Sequence, residues 1–145
     1  MTEWRRDRHV VSDDADRLDV AMISRFLADE SYWAEGRPRD LVERSIANSL
    51  NLGLYEDDRQ LGFARVVTDR ATFAWICDVL ILSEARGKGL GTWLMECVID
   101  HPNLRGLRRF MLATRDAHEV YRRVGFTELP EPSRIMVRQD RSTSG

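Results

Sequence analysis

Arg86-Gly87-Lys88-Gly89-Leu90-Gly91 joins a long, nearly all-apolar run, Thr72 to Leu82, to the best helical stripe in the chain. That stripe is Leu90, Trp93, Leu94, Cys97 and Val98, spaced i, i+3, i+4, i+7 and i+8 as one face of a helix. The apolar run reads as a strand, and its continuous character predicts a mid-sheet position covered on both faces. The glycine segment is therefore a strand-to-helix junction. The first turn of a helix holds backbone N–H groups without partners, and the dipole places about half a positive charge there. Glycines let an anion approach those groups without meeting a Cβ, and Arg86 and Lys88 add cationic reach. The loop is expected to bind a pyrophosphate or a similar anion; a glycine-rich turn without a ligand is the plainer alternative. Two familiar phosphate motifs fail on spacing. A dinucleotide fingerprint would need glycine where Thr92 or Leu94 stands, and a Walker loop would need glycine at Leu82 and Ser or Thr at Gly89.

Working outward toward the N-terminus, Gln60 to Thr68 and Leu52 to Glu56 read as two further strands, with Asp57-Asp58-Arg59 and Asp69-Arg70-Ala71 as turns. Pro38 suits a helix start before Leu41, Val42, Ser45, Ile46 and Ser49. Asp19 is an N-cap ahead of Met22, Ile23, Phe26 and Leu27, with Leu18 and Ile23 as a hydrophobic staple. His9-Val10-Val11-Ser12 is a short strand, and the residues before it are expected to be loose. Toward the C-terminus, Pro102 closes the striped helix and Leu107 to Ala113 is a strand. Asp116 and Glu119 have the spacing of a capping box for a short helix striped by Ala117, Val120, Tyr121 and Val124. Gly125 ends that helix and lets Phe126 pack back on Tyr121. Ile135-Met136-Val137 reads as a last strand. The order predicts an α/β (α+β) mixed sheet in one domain over 1–145, with 1–7 and 139–145 as loose ends.

The 145 residues suffice to bury roughly 68–70% of the unfolded surface, a core that needs no staples. Hydrophobic residues at 43% and charged residues at 32% are ordinary for a soluble domain. Twenty-two basic against 24 acidic residues leave a net charge of −2, which argues against nucleic acid as a partner. No apolar stretch is long enough to span a membrane, and Met1 to Asp7 lacks the apolar core of a signal peptide. The expected setting is cytoplasmic. Two cysteines, Cys77 and Cys97, make no disulfide scaffold, and His9, His101 and His118 lack metal-ligand spacing, so no metal is expected.

The loop Arg86-Gly87-Lys88-Gly89-Leu90-Gly91 resembles the R/Q-x-x-G-x-G/A loop of the GCN5-related N-acetyltransferases (GNAT). Ala117-x-x-x-Tyr121-x-x-x-Gly125-Phe126 is similar to the helix and turn of the same family, and the element order matches from about Arg8 to Arg138. The resemblance implies a mostly antiparallel sheet flanked by helices, with a splayed strand pair at the cofactor. It implies acetyl-CoA as co-substrate, its pyrophosphate on Arg86, Gly87, Lys88, Gly89, Leu90 and Gly91 and its pantetheine beside Val79, Leu80 and Ile81. Thr114 and Ala117 complete the implied cofactor contacts; Thr114 stands where many members have asparagine, and Ser83 where proline is common. The implied activity is transfer of an acetyl group to a primary amine, on a small molecule or a peptide, by direct attack. A non-catalytic acetyl-CoA-binding module on the same fold is the other reading, and a larger acyl group a third. Family members often dimerise, which makes a homodimer plausible here.

An alkyl amine of pKa about 10 must lose a proton, the oxyanion needs N–H donors, and the departing thiolate needs a proton or a donor. Tyr121 is the acid that the resemblance implies, although periodicity alone favours a core tyrosine on the stripe with Ala117 and Val124. A tyrosine near 10 facing a thiol near 8.5 makes transfer uphill by roughly 2 kcal/mol. Asp78 interrupts the apolar strand between Cys77 and Val79, on a face that alternation shares with Ile76 and Leu80. A carboxylate there costs several kcal/mol unless solvated or paired, so Asp78 is either the base or a structural partner of Arg65 on the neighbouring strand, and a water chain is the other candidate base. Tyr32 and Trp33, in the loop between the first two helices, either shape the acceptor pocket with Arg65 or pack that loop on the sheet.

Overall fold

Two-residue hairpins set the register of the N-terminal half. Asp7 and Asp57 take left-handed backbone angles (φ 55° and 54°), which aspartate tolerates better than most side chains. Each closes a hairpin, Arg6 facing His9 and Glu56 facing Arg59. The computed structural model describes residues 1–140. Its strands are β1 (Glu3–Arg6), β2 (His9–Ser12), β3 (Leu50–Glu56), β4 (Arg59–Thr68), β5 (Phe73–Ile81) and β6 (Arg109–Leu112). Its helices are α1 (Val20–Glu30), α2 (Arg39–Ala47), α3 (Leu90–Asp100) and α4 (His118–Arg122). The sheet runs β1-β2-β3-β4-β5-β6, antiparallel except for the parallel pair β5–β6. This is the mixed, mostly antiparallel sheet expected.

Apolar side chains bury on both faces. The α3 stripe of Leu90, Trp93, Leu94, Cys97 and Val98 packs with Leu52, Leu54, Ala64, Val66 and Ile76. Met22, Ile23, Phe26 and Leu27 of α1 and Val42 of α2 pack with Phe63 and Leu80. Neighbours Phe63 and Ala64 belong to different clusters, as alternation along a strand requires of opposite faces. Asp19 caps α1 by accepting from the Met22 amide at 3.1 Å, and Leu18 packs against the cluster that contains Ile23. Beyond α4, the Phe126 amide donates to the Tyr121 carbonyl at 3.1 Å across Gly125 at φ 97°.

Three local expectations are corrected. The first residues are not loose: Glu3–Arg6 pair with β2, the Trp4 indole donates to Asp100 at 3.0 Å, and the Thr2 amide donates to Asp13 at 2.9 Å. The signal was weak because only Trp4 and Thr2 of this segment lose part of their exposure. Asp116 is not a capping residue; Ala117 is the N-cap of α4, and its amide donates to the Thr114 hydroxyl at 3.0 Å. Ile135-Met136-Val137 is not a strand, because among the described residues no segment pairs with it; it follows a 3-10 turn at Pro132–Arg134. Of the expected C-terminal loose end, 141–145 lie outside the described residues.

Candidate active site

β5 and β6 pair only from Phe73↔Arg109 to Ile76↔Leu112. Among the described residues Cys77 to Ile81 have no partner on that side, so the strands part toward their C-terminal ends. The glycine loop sits at the far end of the same β5. Gly87 and Gly89 take φ 80° and 76°, angles that favour glycine. Gly89 is the N-cap of α3 and offers no side-chain cap, so the amides of the first turn have no partner from it. A Cβ at Gly87 would meet nothing within 4 Å, and one at Gly89 only the Arg6 Nη2 at 3.7 Å. The approach to these amides is therefore open, and a phosphate group fits it.

Arg6, on the strand expected to be loose, thus joins Lys88 and Arg86 around the start of α3, its guanidinium 5.2 Å from the Trp93 ring centroid. Arg86 folds back and donates its Nε to the Ile81 carbonyl at 3.0 Å. No sequence signal singled out Arg6, since arginine is common throughout this chain.

The floor of the site is a bulge in β5. Register shifts between Phe63/Leu80 and Arg65/Cys77, so β5 carries one residue more than β4 across it. Asp78 sits in the bulge at φ 52°, a left-handed angle costing about 1–2 kcal/mol in a non-glycine residue. The extra residue breaks the expected alternation. Ile76 packs in the α3 cluster and Leu80 in the α1–α2 cluster, so Asp78 does not share one face with both.

Asp78 is 4% exposed and its carboxylate is fully engaged. Oδ2 accepts from Arg37 Nη1 at 2.9 Å and Arg65 Nε at 2.8 Å, and Oδ1 accepts from the Trp33 indole at 2.9 Å. Asp78 is thus a paired group rather than a free carboxylate, with Arg65 as the partner foreseen and Arg37 unforeseen. Arg65 also donates to the Ser49 hydroxyl at 3.1 Å. Arg37 is 5% exposed and lies 41 positions from Asp78, a separation that no local pattern bridges.

The loop between α1 and α2 crosses the parted strands. Trp33 binds Asp78 on the β5 side, while the Tyr32 hydroxyl accepts from the Arg115 amide at 2.9 Å, just beyond β6. The Arg115 guanidinium lies 3.8 Å from the Tyr32 ring centroid, and the Tyr32 and Trp33 rings meet edge to face at 5.1 Å. The loop is therefore both packed and placed over the gap. Tyr121 stands on α4 with Phe126 edge-on at 6.0 Å. Burial pushes its hydroxyl up to about 12, and Tyr32 and Asp116 add in the same direction. Burial likewise raises the Cys77 thiol to about 11 and the Cys97 thiol to about 12. Among the described residues no cluster of three His, Cys, Asp or Glu is arranged to hold a metal, and no helix is long and apolar enough to cross a membrane.

The sequence profile of the Acetyltransferase (GNAT) family matches residues 13–126. This chain belongs to the GNAT family. A Gibberella zeae protein provisionally named an acetyltransferase is 31% identical over 140 residues, covering 81% of this chain and 78% of its own. A Xanthomonas campestris GNAT protein, also provisionally named, superposes with TM-score 0.88 at 47% identity, over 91% of this chain and 93% of that one. A Clostridium acetobutylicum acetyltransferase solved with acetyl-CoA has TM-score 0.66 at 16% identity, covering 91% and 94%, a likeness of fold alone. As a GNAT member the chain is an N-acetyltransferase that depends on acetyl-CoA.

Proposed function

We propose that this GNAT enzyme moves the acetyl group to a primary amine by direct attack, with no acyl-enzyme, on a small-molecule or peptide acceptor entering under the Tyr32–Trp33 loop. The observation carrying this reading is the open, left-handed glycine turn at the start of α3, in line with the unpaired stretch of β5. Acetyl-CoA bound there supplies an activated thioester. The amides opening α3, with Lys88, Arg86 and Arg6, hold the diphosphate; Gly87, Gly89, Leu90 and Gly91 supply the backbone. Val79, Leu80 and Ile81, unpaired toward β6, hold the pantetheine arm through backbone groups. Thr114 and Ala117, joined by the Ala117 amide donating to the Thr114 hydroxyl at 3.0 Å, complete the proposed cofactor contacts.

The two thiols argue for direct attack. Burial pushes the Cys77 and Cys97 thiols up, which favours the neutral thiol over the thiolate that an acyl-cysteine would require. Tyr121, pushed to about 12, keeps its proton at Oη against a thiol near 8.5. The gap of about 3.5 pKa units opposes full transfer by roughly 5 kcal/mol. Its contribution is a hydrogen bond to sulfur as charge grows there.

The cluster at Asp78 has two guanidiniums for one carboxylate. A neighbouring positive charge disfavours an ammonium and so favours the neutral amine. We assign proton removal to solvent and give Asp78 the task of fixing Arg37, Arg65 and Trp33 at the acceptor side. The reading is tested by incubating the purified chain with acetyl-CoA and a panel of amino acids, polyamines, aminoglycosides and peptide N-termini. Free thiol release that depends on one amine class, with no acetylated protein by intact mass, supports it. Acetylated Cys77 or Cys97 kinetically competent in turnover overturns direct attack, and acetyl-CoA binding without release for any amine overturns turnover on this panel.

A further inference from the structure

The cluster under the Tyr32–Trp33 loop carries more positive charge than it neutralises. Arg37 and Arg65 converge on one oxygen of Asp78, and the third bond to that carboxylate comes from the uncharged Trp33 indole. The charged groups that act on the neighbouring Cys77 thiol are these same three, Arg65, Asp78 and Arg37. One carboxylate against two guanidiniums leaves one positive charge over. Only 5% of the Arg37 side chain, 2% of Asp78 and 15% of Arg65 is exposed. An unbalanced charge at that depth is costly unless a counter-ion completes it.

Hydrogen-bond donors are in excess as well. Arg37 Nε is buried and has no partner among the described residues. Arg65 gives Nε to Asp78 and Nη1 to Ser49, and neither bond uses Nη2. Asp78 Oδ2 is already shared by both guanidiniums. Arg65 stands on β4 opposite Cys77, the residue at which β5 begins its unpaired stretch toward β6. It is the most exposed of the three charged side chains, so an anion arriving under the loop meets it first.

We propose that the surplus charge seats a carboxylate of the acceptor itself: the acceptor is a free amino acid, its carboxylate on Arg65 with Arg37 behind it. This rests on the amine-transfer reading above and names the class of amine. A guanidinium matches a carboxylate in shape and in charge. A carboxylate supplies the one negative charge that the cluster lacks, whereas a phosphate monoester, at about −1.5 to −2, overshoots it. A polyamine brings only positive charge and is repelled. The pairing also serves the chemistry. In a free amino acid the carboxylate stabilises the ammonium beside it. With that carboxylate neutralised by Arg65, the α-amine falls toward the pKa of about 8 that it has at a peptide N-terminus. The C–N bond then forms as the C–S bond breaks. Of the two protons that the nitrogen gives up, one goes to solvent and the other balances the departing thiolate.

The full chain with acetyl-CoA is given glycine, alanine, leucine, phenylalanine, glutamate and lysine, each beside its carboxamide and its decarboxylated amine, and thiol release is followed. At least one amino acid is expected to exceed both of its counterparts by about ten- to a hundredfold in kcat/KM. The carboxamide has the more acidic ammonium, so intrinsic reactivity alone would favour it instead. Arg65→Gln is expected to raise KM for that amino acid about tenfold, to leave KM for acetyl-CoA unchanged and to remove the preference over the carboxamide. Arg65→Lys keeps the charge and is expected to recover part of that preference. Where Arg65→Gln does not fold, the acid-to-amide ratios of the native chain and of Arg65→Lys decide. Carboxamides or polyamines used as well as the amino acids, or an aminoalkyl phosphonate preferred to the matched acid, overturn the proposal and leave transfer to an amine standing. Coenzyme A binding without thiol release from any amine overturns the amine-transfer reading instead. The carboxylate seat is then measured by calorimetry with N-acetylglycine and N-acetylleucine on the coenzyme A complex. Binding that Arg65→Gln weakens about tenfold supports the seat, and no binding overturns it.

Discussion

At the scale of single residues, Asp78 decides most. It sits at a left-handed backbone angle in the β5 bulge and gathers Arg37, Arg65 and Trp33. Removing its charge leaves two buried or half-buried guanidiniums facing one another. Asp78→Asn is expected to lose roughly 3–5 kcal/mol in urea unfolding, as when one partner of a buried ion pair is removed. The folded fraction should keep the parent pH–rate profile; loss of its acidic limb would instead return Asp78 to the role of base. Tyr121→Phe keeps the ring edge-on to Phe126 and deletes only the hydroxyl. It should lower kcat by about ten- to a hundredfold, the roughly 1.5–3 kcal/mol of a hydrogen bond to a charged group, with coenzyme A affinity by calorimetry nearly unchanged.

At the scale of elements, the strand–glycine–helix junction makes the cofactor site and the β5 bulge makes the acceptor side. Gly89 needs φ 76° and an open front, and a β-branched side chain supplies neither. Gly89→Val should weaken coenzyme A at least tenfold and lower Tm by a few degrees, from about 1–2 kcal/mol of backbone strain. Gly106, at φ 81° and with nothing within 4 Å of the place a Cβ would take, provides the control. Gly106→Val carries similar strain and should leave coenzyme A affinity intact. Equal losses in both variants would mean that strain, rather than access to the α3 amides, sets the affinity.

At the scale of the whole molecule, burial of titratable groups ties stability to alkaline pH. Burial raises Cys77 to about 11 and Cys97, Tyr121 and Tyr55 to about 12, Arg17 partly offsetting the last. These are acids whose neutral form the fold prefers. Below their unfolded values of 9.0 for cysteine and 10.0 for tyrosine, both states hold the protons and the full stability is present. Above those values the unfolded chain releases protons first, so stability falls with rising pH until the folded values near 11 to 12 are passed. Thermal melts should show a steepening drop in Tm between pH 9 and 12. A flat Tm across that window would mean that these side chains are solvated in the native state.

Much of this architecture is written in short stretches of chain. The α3 stripe, the Asp19 cap, the hairpin turns and the glycine junction each depend on residues within a few positions of one another, so periodicity and turn chemistry suffice to read them. The family likeness of the glycine loop and of Tyr121-x-x-x-Gly125-Phe126 added the cofactor. Other features depend on residues brought together from afar. Arg37 meets Asp78 across 41 positions, Arg6 reaches α3 only because β1 pairs with β2, and Trp4 and Asp100 are 96 apart. One inserted residue in β5 reverses which face each later side chain occupies, which alternation alone places wrongly for Leu80. Ile135-Met136-Val137 has the makings of a strand, but a strand exists only where another backbone lies beside it, and that neighbour is not in the adjacent sequence.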